Sequence, residues 1–363
     1  MSTKNVINEP PPEDGVKMTQ SSTTDIIDDR SLVSTFPTFA HAYRAGLRDI
    51  LERGHQVSSV TDPDSIASGF GAQDRPYSEI IGHSFQVADA SSSLAITSVM
   101  KVNLAYCFGL LAWSLDARND IETPSFYRRG ADQFSDDQHT LSGAFGRRLR
   151  TLGGGDQLRA IIDRLRSDPS NRRTFAPILE PVDNFRQSRE YPCGVGIQMF
   201  LREEKLSFVV VMRAQQALTV LPYDTFLFMG IQQYVAGLLD VECGPYHHYS
   251  GTFHIYDNER AIADEIASAE ALPVALPAFP RGKDAAEDAA QELIDLERQL
   301  REAAGKGDHR RVDAIAEGRA RHPYTDVARS VLARHAYRKL GSTDVTVASE
   351  HASERMIELF NAI

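Results

Sequence analysis

Two β-like runs, VGIQMFLR and KLSFVVVMRA, are separated only by Glu203 and Glu204. So short a connection predicts an antiparallel hairpin, because parallel strands need a crossover of a dozen or more residues. A third run, TFAPIL, precedes the hairpin, and a fourth, GTFHIYDN, follows a long apolar stretch at residues 222–239. That stretch begins with a proline and is typical of a buried helix. We therefore predict the α/β (α+β) class, with helices packed on a sheet.

Helical and extended patterns also alternate upstream of the hairpin. Residues 37–53 and 156–167 carry apolar side chains at helical spacing. Residues 99–115 are apolar on most sides, which predicts a buried helix, and residues 79–88 are typical of a strand.

The two ends of the chain differ in composition from the middle. Residues 1–35 are largely polar and rich in Pro, Ser and Thr, so we expect a disordered tail and no secretory signal. Residues 266–363 begin with a Pro-rich link and continue as charged helical sequence, which we interpret as a helical extension of the domain at 36–265. The sequence contains no apolar run of about 18 residues, so we expect no membrane span.

The net charge and the cysteine content limit the classes of ligand and the cellular location that we expect. A formal net charge of -11 argues against binding to nucleic acid, which needs a basic face. It still allows a small anionic substrate held by a local arginine cluster. The three cysteines, Cys107, Cys193 and Cys243, are too few for a disulfide framework and lack zinc-site spacing. We therefore expect a reducing, cytoplasmic location and no metal.

Cys193 is the candidate nucleophile. It lies in Tyr191-Pro192-Cys193-Gly194, at the junction of a charged loop and a β-like run, with arginines on both sides in the sequence. Such surroundings predict a thiolate of low pKa. Taken alone, however, a single cysteine is more often a small core residue.

The order of motifs around Cys193 resembles the thymidylate synthase family. That family has an arginine pair after an Asp-Pro turn, Pro-Cys with Gln five residues later, Arg-Ser-x-Asp, Leu-Pro-Phe-Asn opening a helix, and Gly-Asp-x-His-x-Tyr. The matching residues here are Arg172-Arg173, Pro192-Cys193 with Gln198, Arg213-Ala214-Gln215-Gln216, Leu221-Pro222-Tyr223-Asp224 and Gly251-Thr252-Phe253-His254-Ile255-Tyr256. The resemblance covers about residues 40–260. It implies a mixed β-sheet flanked by helices, with 36–265 as the catalytic domain. The C-terminal helical extension departs from the family pattern and takes the place of the family's short apolar C-terminal tail.

The resemblance also implies roles for individual residues. Cys193 would add to C6 of a pyrimidine nucleotide, and 5,10-methylenetetrahydrofolate would supply the one-carbon unit. Arg213 would bind the nucleotide phosphate, while Arg172 and Arg173 would reach it from the other subunit of a homodimer. Arg75 is a weaker match to a further phosphate arginine. The other predicted substrate-binding residues are Ala214, Gln215, Asp224, His254 and Tyr256, of which His254 and Tyr256 would hold the sugar hydroxyl.

Two departures from the family pattern bear on the substrate. Asp224 stands where members acting on uracil have asparagine; an aspartate accepts from the amino group of cytosine and, when protonated, donates to N3. Ala214 replaces a phosphate-binding serine and frees space for a 2′-hydroxyl. The pattern therefore favours a C5 hydroxymethyltransferase acting on CMP or dCMP, as in nucleoside-antibiotic pathways. Asp224 is also compatible with a helix-dipole role, and the arginine pair with a solvated surface.

Other departures keep two alternatives open, a methyltransferase acting on a uridine nucleotide and a non-catalytic nucleotide-binding protein. Gly194, Gln216 and Phe145 replace a histidine, an aspartate and a tyrosine of the family. The family's catalytic glutamate falls at Gly109, and Glu79 or Asp116 is the expected substitute. The loss of such a group would slow acid-base catalysis by roughly 10²–10⁴-fold.

Overall fold

A computed structural model describes residues 33–58, 76–100, 102–272, 274–342, 347, 349–352 and 354. The predicted tail up to residue 32 and the candidate phosphate residue Arg75 lie outside these residues. Ser34 and Thr35, assigned to that tail from the sequence, belong to a strand.

Within the described residues, seven strands form one mixed sheet. The strands are β1 (Ser34–Phe36), β2 (His55–Val57), β3 (Tyr77–Val87), β4 (Phe175–Pro177), β5 (Gly194–Arg202), β6 (Lys205–Gln216) and β7 (Glu242–Tyr256). The order is β1-β3-β7-β6-β5-β4, with β2 also paired to β3. The pairs β1–β3 and β6–β7 are parallel, and the others are antiparallel. The predicted α/β class is confirmed.

The predicted hairpin joins β5 to β6. Arg202 pairs with Lys205, and the two turn residues have φ of 50° at Glu203 and 59° at Glu204. Two positive φ values in a two-residue loop match the right-handed twist of the flanking strands.

The helices contribute most of the remaining core. They are α1 (Phe39–Arg53), α2 (Leu104–Leu115), α3 (Glu122–Tyr127), α4 (Phe145–Thr151), α5 (Gln157–Ser167), α6 (Leu221–Leu239), α7 (Arg260–Ser268), α8 (Lys283–Gly305), α9 (His309–Ala316) and α10 (Pro323–Lys339). Helix α6 is buried along most of its length and packs on β6, β7 and α2. Helix α2 begins later than its apolar pattern, because the Asn103 side chain accepts from the Tyr106 amide at 3.1 Å and caps the helix there.

The C-terminal helices share the hydrophobic core of the preceding residues. Helices α8 and α10 pack against α2, and α8 also packs against α6. Tyr324 of α10 is buried, with its ring 5.7 Å from that of Phe108 in α2. The division of the chain at residue 265 stays a prediction, and the apolar core is continuous across it.

Membrane-spanning helices and metal-binding clusters are both absent from the described ranges. No helix there is long and apolar enough to cross a membrane. No group of three or more His, Cys, Asp or Glu side chains there is arranged to hold a metal ion.

Candidate active site

An open cleft lies where α2, the first turn of α6 and the loops around residues 128–145 and 188–193 meet. It encloses about 1540 Å³ of space, including its open mouth. Its ionisable lining residues are Arg128, Arg129, Arg189, Arg213, Glu190, Asp224, Cys193, Tyr106 and Tyr191. Its aromatic lining also includes Trp113, Phe134 and Phe145.

Cys193 and Arg213 are neighbours in this cleft. Cys193 precedes β5, and the Arg213 amide donates to its carbonyl at 2.8 Å. The Arg213 guanidinium donates to the carbonyls of Tyr191 and Pro192, both at 2.9 Å, and stands over the Tyr191 ring. Its Nη2 lies 3.8 Å from the Cys193 sulfur. The loop before β5 therefore fixes a cation beside the thiol.

The expectation of a low-pKa thiolate at Cys193 is wrong. Burial raises the pKa of the thiol, and the nearby Asp224 and Glu190 carboxylates raise it further, whereas Arg213 alone acts to lower it. The sequence showed the arginines but not the desolvation, which depends on the walls of the cleft. Cys193 is therefore held mainly as a thiol in the free protein.

Asp224 lies in the first turn of α6 and faces the same cleft. Gln215 Nε2 donates to its Oδ2 at 3.0 Å. Burial raises the pKa of Asp224 to about 7, against the opposing effects of the Gln215 hydrogen bond and of Arg128. Near neutral pH the carboxyl group therefore has both a protonated and an ionised form.

Glu190 is a cleft residue that the sequence reasoning missed. Its Oε2 accepts from the Gly143 amide at 2.7 Å, and burial raises its pKa to about 7. The only sequence signal was its position three residues before Cys193, in a loop that reads as ordinary charged surface.

The other predicted residues do not line the cleft. Arg172 and Arg173 are exposed on the segment before β4, and their backbone carbonyls accept from Gln198 and Arg164. Ala214 continues β6 beyond Arg213. His254 and Tyr256 lie on β7, with ring centroids 5.7 Å apart. His254 is close enough to Arg213 for that cation to assist burial in lowering its pKa to about 4.

Comparison with known proteins identifies the family of the chain. The family model described as thymidylate synthase matches residues 41–296, more than half of the chain. The chain belongs to the thymidylate synthase family.

Two curated relatives of this thymidylate synthase family member are deoxyuridylate hydroxymethyltransferases of phages. The one from Bacillus phage SP01 is 29% identical over 161 residues, which are 40% of this chain and 41% of the relative. The one from Pseudomonas phage M6 is 28% identical over 165 residues, 45% of this chain and 47% of the relative. The chain thus covers less than half the length of either protein.

The departures from the thymidylate synthase pattern have local packing reasons. A Cβ atom at Gly109 would lie 2.5 Å from the Tyr127 ring, so the ring of this α3 residue occupies the space that a side chain would need. The neighbouring Leu110 lines the cleft instead. A Cβ at Gly194 would lie 3.3 Å from both Ile178 and Phe145, which leaves little room for a histidine.

Gln216 has a structural role instead of a place in the cleft. Its side-chain oxygen accepts from the amides of Thr219 and Val220 at 2.6 and 3.1 Å, just before α6 begins. Its amide group donates to Glu259 at 2.7 Å. These bonds set the start of the helix that presents Asp224 to the cleft.

The two residues expected to replace the family's catalytic glutamate make contacts outside the cleft. Glu79 on β3 accepts from the Thr252 hydroxyl on β7. Asp116, at the end of α2, pairs with Arg118 at 3.0 Å. Neither carboxylate lines the cleft.

Proposed function

We propose that the protein is a folate-dependent C5 hydroxymethyltransferase that acts on a cytidine nucleotide, CMP or dCMP, through a covalent adduct of Cys193 at C6. The proposal depends on one observation: a thiol, a fixed guanidinium and a carboxyl group of raised pKa face one cleft. A nucleophile, an anion-binding group and a base-reading group are what this chemistry requires.

Arg213 supports the binding of a nucleotide phosphate. Among the described residues, its hydrogen bonds use Nε and Nη2, which leaves the two N–H donors of Nη1 for an anion. Because its position is already fixed by backbone carbonyls and the Tyr191 ring, binding would cost little side-chain entropy.

Asp224 supports a cytosine base. The Gln215 amide keeps Oδ2 as an acceptor, so a proton on the carboxyl group is placed on Oδ1. In that form Asp224 offers one donor and one acceptor to the N3 and amino positions of cytosine. Uracil presents the reverse pattern, and the names of the phage relatives favour a uridine nucleotide as the second candidate substrate.

The cleft also suits 5,10-methylenetetrahydrofolate, which would supply the one-carbon unit. Trp113 and Phe134 offer flat apolar walls for a pterin ring. Arg128, Arg129 and Arg189 offer guanidinium groups for the glutamate carboxylates.

A homodimer would complete the phosphate site. Val209 and Val211 of β6 pair with His247 and Tyr249 of β7, so these four side chains share one face of the sheet. That face is only half-buried, and Tyr249 is 43% exposed. A second copy on this face would cover it, and the resemblance to the family implies that Arg172 and Arg173 of that copy would reach the cleft.

The experiment compares the purified protein with its Cys193→Ala variant. Each is supplied with methylenetetrahydrofolate and with CMP, dCMP, UMP or dUMP in parallel, and the product is identified by mass spectrometry. The wild type should make a 5-hydroxymethyl cytidine nucleotide, and Cys193→Ala should make none. Cys243→Ala is the matched control, because burial raises the pKa of Cys243 to about 12 and the residue lies on β7, away from the cleft.

Each alternative has its own outcome in the same assay. A 5-methyl product would show that the protein is a methyltransferase and not a hydroxymethyltransferase. Turnover of dUMP alone would overturn the choice of base. Nucleotide binding without any product would support a non-catalytic protein.

A further inference from the structure

Glu190 is the cleft carboxylate that the proposed function leaves without a task. Of the described residues that line the cleft, only Glu190 and Asp224 carry carboxyl groups. Asp224 accepts a hydrogen bond from Gln215, and the proposed function assigns it to recognition of the cytosine ring. Helix α2, where the family places a glutamate, presents Leu110 to the cleft.

The position of Glu190 is built into the cleft wall. The Gly143 amide donates to Oε2, and among the described residues no hydrogen bond uses Oε1. A Cβ atom at residue 143 would lie 3.0 Å from the Pro192 side chain and 3.1 Å from the Glu190 carboxyl carbon, so only glycine allows this approach without a shift. The carboxylate and the Cys193 thiol are therefore held in one loop, fixed by Gly143 on one side and Arg213 on the other.

Hydroxymethylation of the nucleotide requires a proton acceptor at one defined step. After loss of tetrahydrofolate, the pyrimidine carries an exocyclic methylene at C5 and the Cys193 sulfur at C6. Water oxygen bonds to the methylene carbon, the π pair moves into the ring, and a proton of the water leaves. The ring electrons then expel the Cys193 thiolate and restore the 5,6 double bond. No oxidant or reductant is needed.

We propose that Glu190 is the general base that takes the proton from this water. The inference rests on the proposed function and names the group that performs its last chemical step. Cys193 cannot serve, because its sulfur is bonded to C6 at that moment. A pKa of about 7 suits the task, because near neutral pH the carboxylate can both accept the proton and release it again.

The test uses Glu190→Gln, which keeps an oxygen for the Gly143 amide but cannot accept a proton. We expect formation of the hydroxymethyl product to fall by roughly 10²–10⁴-fold. Release of tritium from C5 precedes the water step and should continue. Added 2-mercaptoethanol should then trap the methylene as a thioether, because a thiolate needs no general base.

Asp163→Asn is the matched control, since it removes an exposed carboxylate of α5 outside the cleft, and it should retain the wild-type rate. The inference is overturned if Glu190→Gln makes the hydroxymethyl product within about threefold of the wild-type rate. It is also overturned if tritium release falls in parallel with product and no thioether forms. Glu190 would then stabilise the loop or take part in a chemical step before the addition of water. A wild type that turns over none of the four nucleotides would instead refute the proposed function.

Discussion

At the scale of single residues, the proposed preference for cytosine depends on the protonation of Asp224. A carboxylate only accepts hydrogen bonds, whereas a neutral carboxyl group offers a donor and an acceptor, as an asparagine amide does. Because the Gln215 amide donates to Oδ2, that oxygen stays an acceptor, and the proton of the neutral carboxyl group is placed on Oδ1. An asparagine here can rotate its amide and so present the reverse pattern, which uracil needs.

Asp224→Asn should therefore shift the protein from cytidine towards uridine nucleotides. An unpaired polar group in a buried site costs about 1–3 kcal/mol. We expect the ratio of kcat/KM for CMP over dUMP to fall by roughly 10–100-fold, measured by product formation. Asp240→Asn is the control, since Asp240 is exposed at the C-terminal end of α6. An unchanged ratio in Asp224→Asn would remove Asp224 from base recognition.

The candidate site was only partly predictable from the sequence. Cys193, Arg213 and Asp224 were found because each lies in a short motif at a strand or helix boundary. Glu190 was not, because its burial and its bond to Gly143 depend on a loop 47 residues away in the chain. Its raised pKa, and that of Cys193, come from desolvation, which no local pattern encodes.

At the scale of elements, a buried ion pair holds the cleft wall together. Arg148 of α4 is 4% exposed and donates to both carboxylate oxygens of Asp183, at 2.6 and 2.9 Å. It also donates to the carbonyls of Ser142 and Ile178 at 2.8 and 2.9 Å. One guanidinium thus links the loop before α4 to the segment that leads towards Cys193.

Asp183→Asn should lower the free energy of unfolding by about 3–5 kcal/mol, because it leaves a buried guanidinium without its partner charge. The measurement is urea denaturation at pH 7. Arg147→Met, at an exposed position of the same helix, should change little.

The same variant has a defined pH dependence. The Arg148 hydrogen bond holds the pKa of Asp183 below its usual value. The ion pair therefore stabilises the protein fully above the pKa that Asp183 has in the unfolded chain. This stabilisation is lost as the pH falls through the lower pKa of Asp183 in the folded protein. The difference between wild type and Asp183→Asn should narrow in acid, and a constant difference would contradict this origin.

The regular elements were largely predictable, because period-2 and period-3.6 patterns report directly on burial. Strand β7 was predicted only from Gly251 onward, whereas it begins at Glu242. Its first half contains the run Tyr246-His247-His248-Tyr249, of which the buried Tyr246 and His248 are hydrogen-bonded to each other at 2.9 Å. Such a strand is buried through polar pairing, which hydrophobic periodicity does not detect.

At the scale of the whole molecule, the C-terminal helices complete the core. Tyr324 of α10 is buried between Phe108 of α2 and Phe279, with ring centroids 5.7 and 5.0 Å away. Its hydroxyl is buried without a hydrogen-bond partner among the described residues. The ring therefore stabilises the structure through packing.

Tyr324→Ala should destabilise the entire protein by about 3–5 kcal/mol, because it leaves a cavity between α2 and α10. Tyr324→Phe is the matched control and should be neutral or slightly stabilising, since it removes only an unpaired hydroxyl. A single cooperative transition, measured by both circular dichroism and tryptophan fluorescence, should shift in Tyr324→Ala. Separate transitions for the two probes would indicate that the extension folds independently.

The proposed homodimer makes each cleft depend on two chains. If Arg172 and Arg173 bind the phosphate in the partner's cleft, Cys193→Ala and the double variant Arg172→Ala/Arg173→Ala should each be inactive. A heterodimer of the two variants contains one cleft with both defects and one with neither. Refolding equal amounts together should therefore restore about a quarter of the wild-type activity, because random pairing makes about half of the dimers mixed. Activity that stays at zero, with mixed dimers demonstrated by differential tags, would place all the phosphate-binding groups within a single chain.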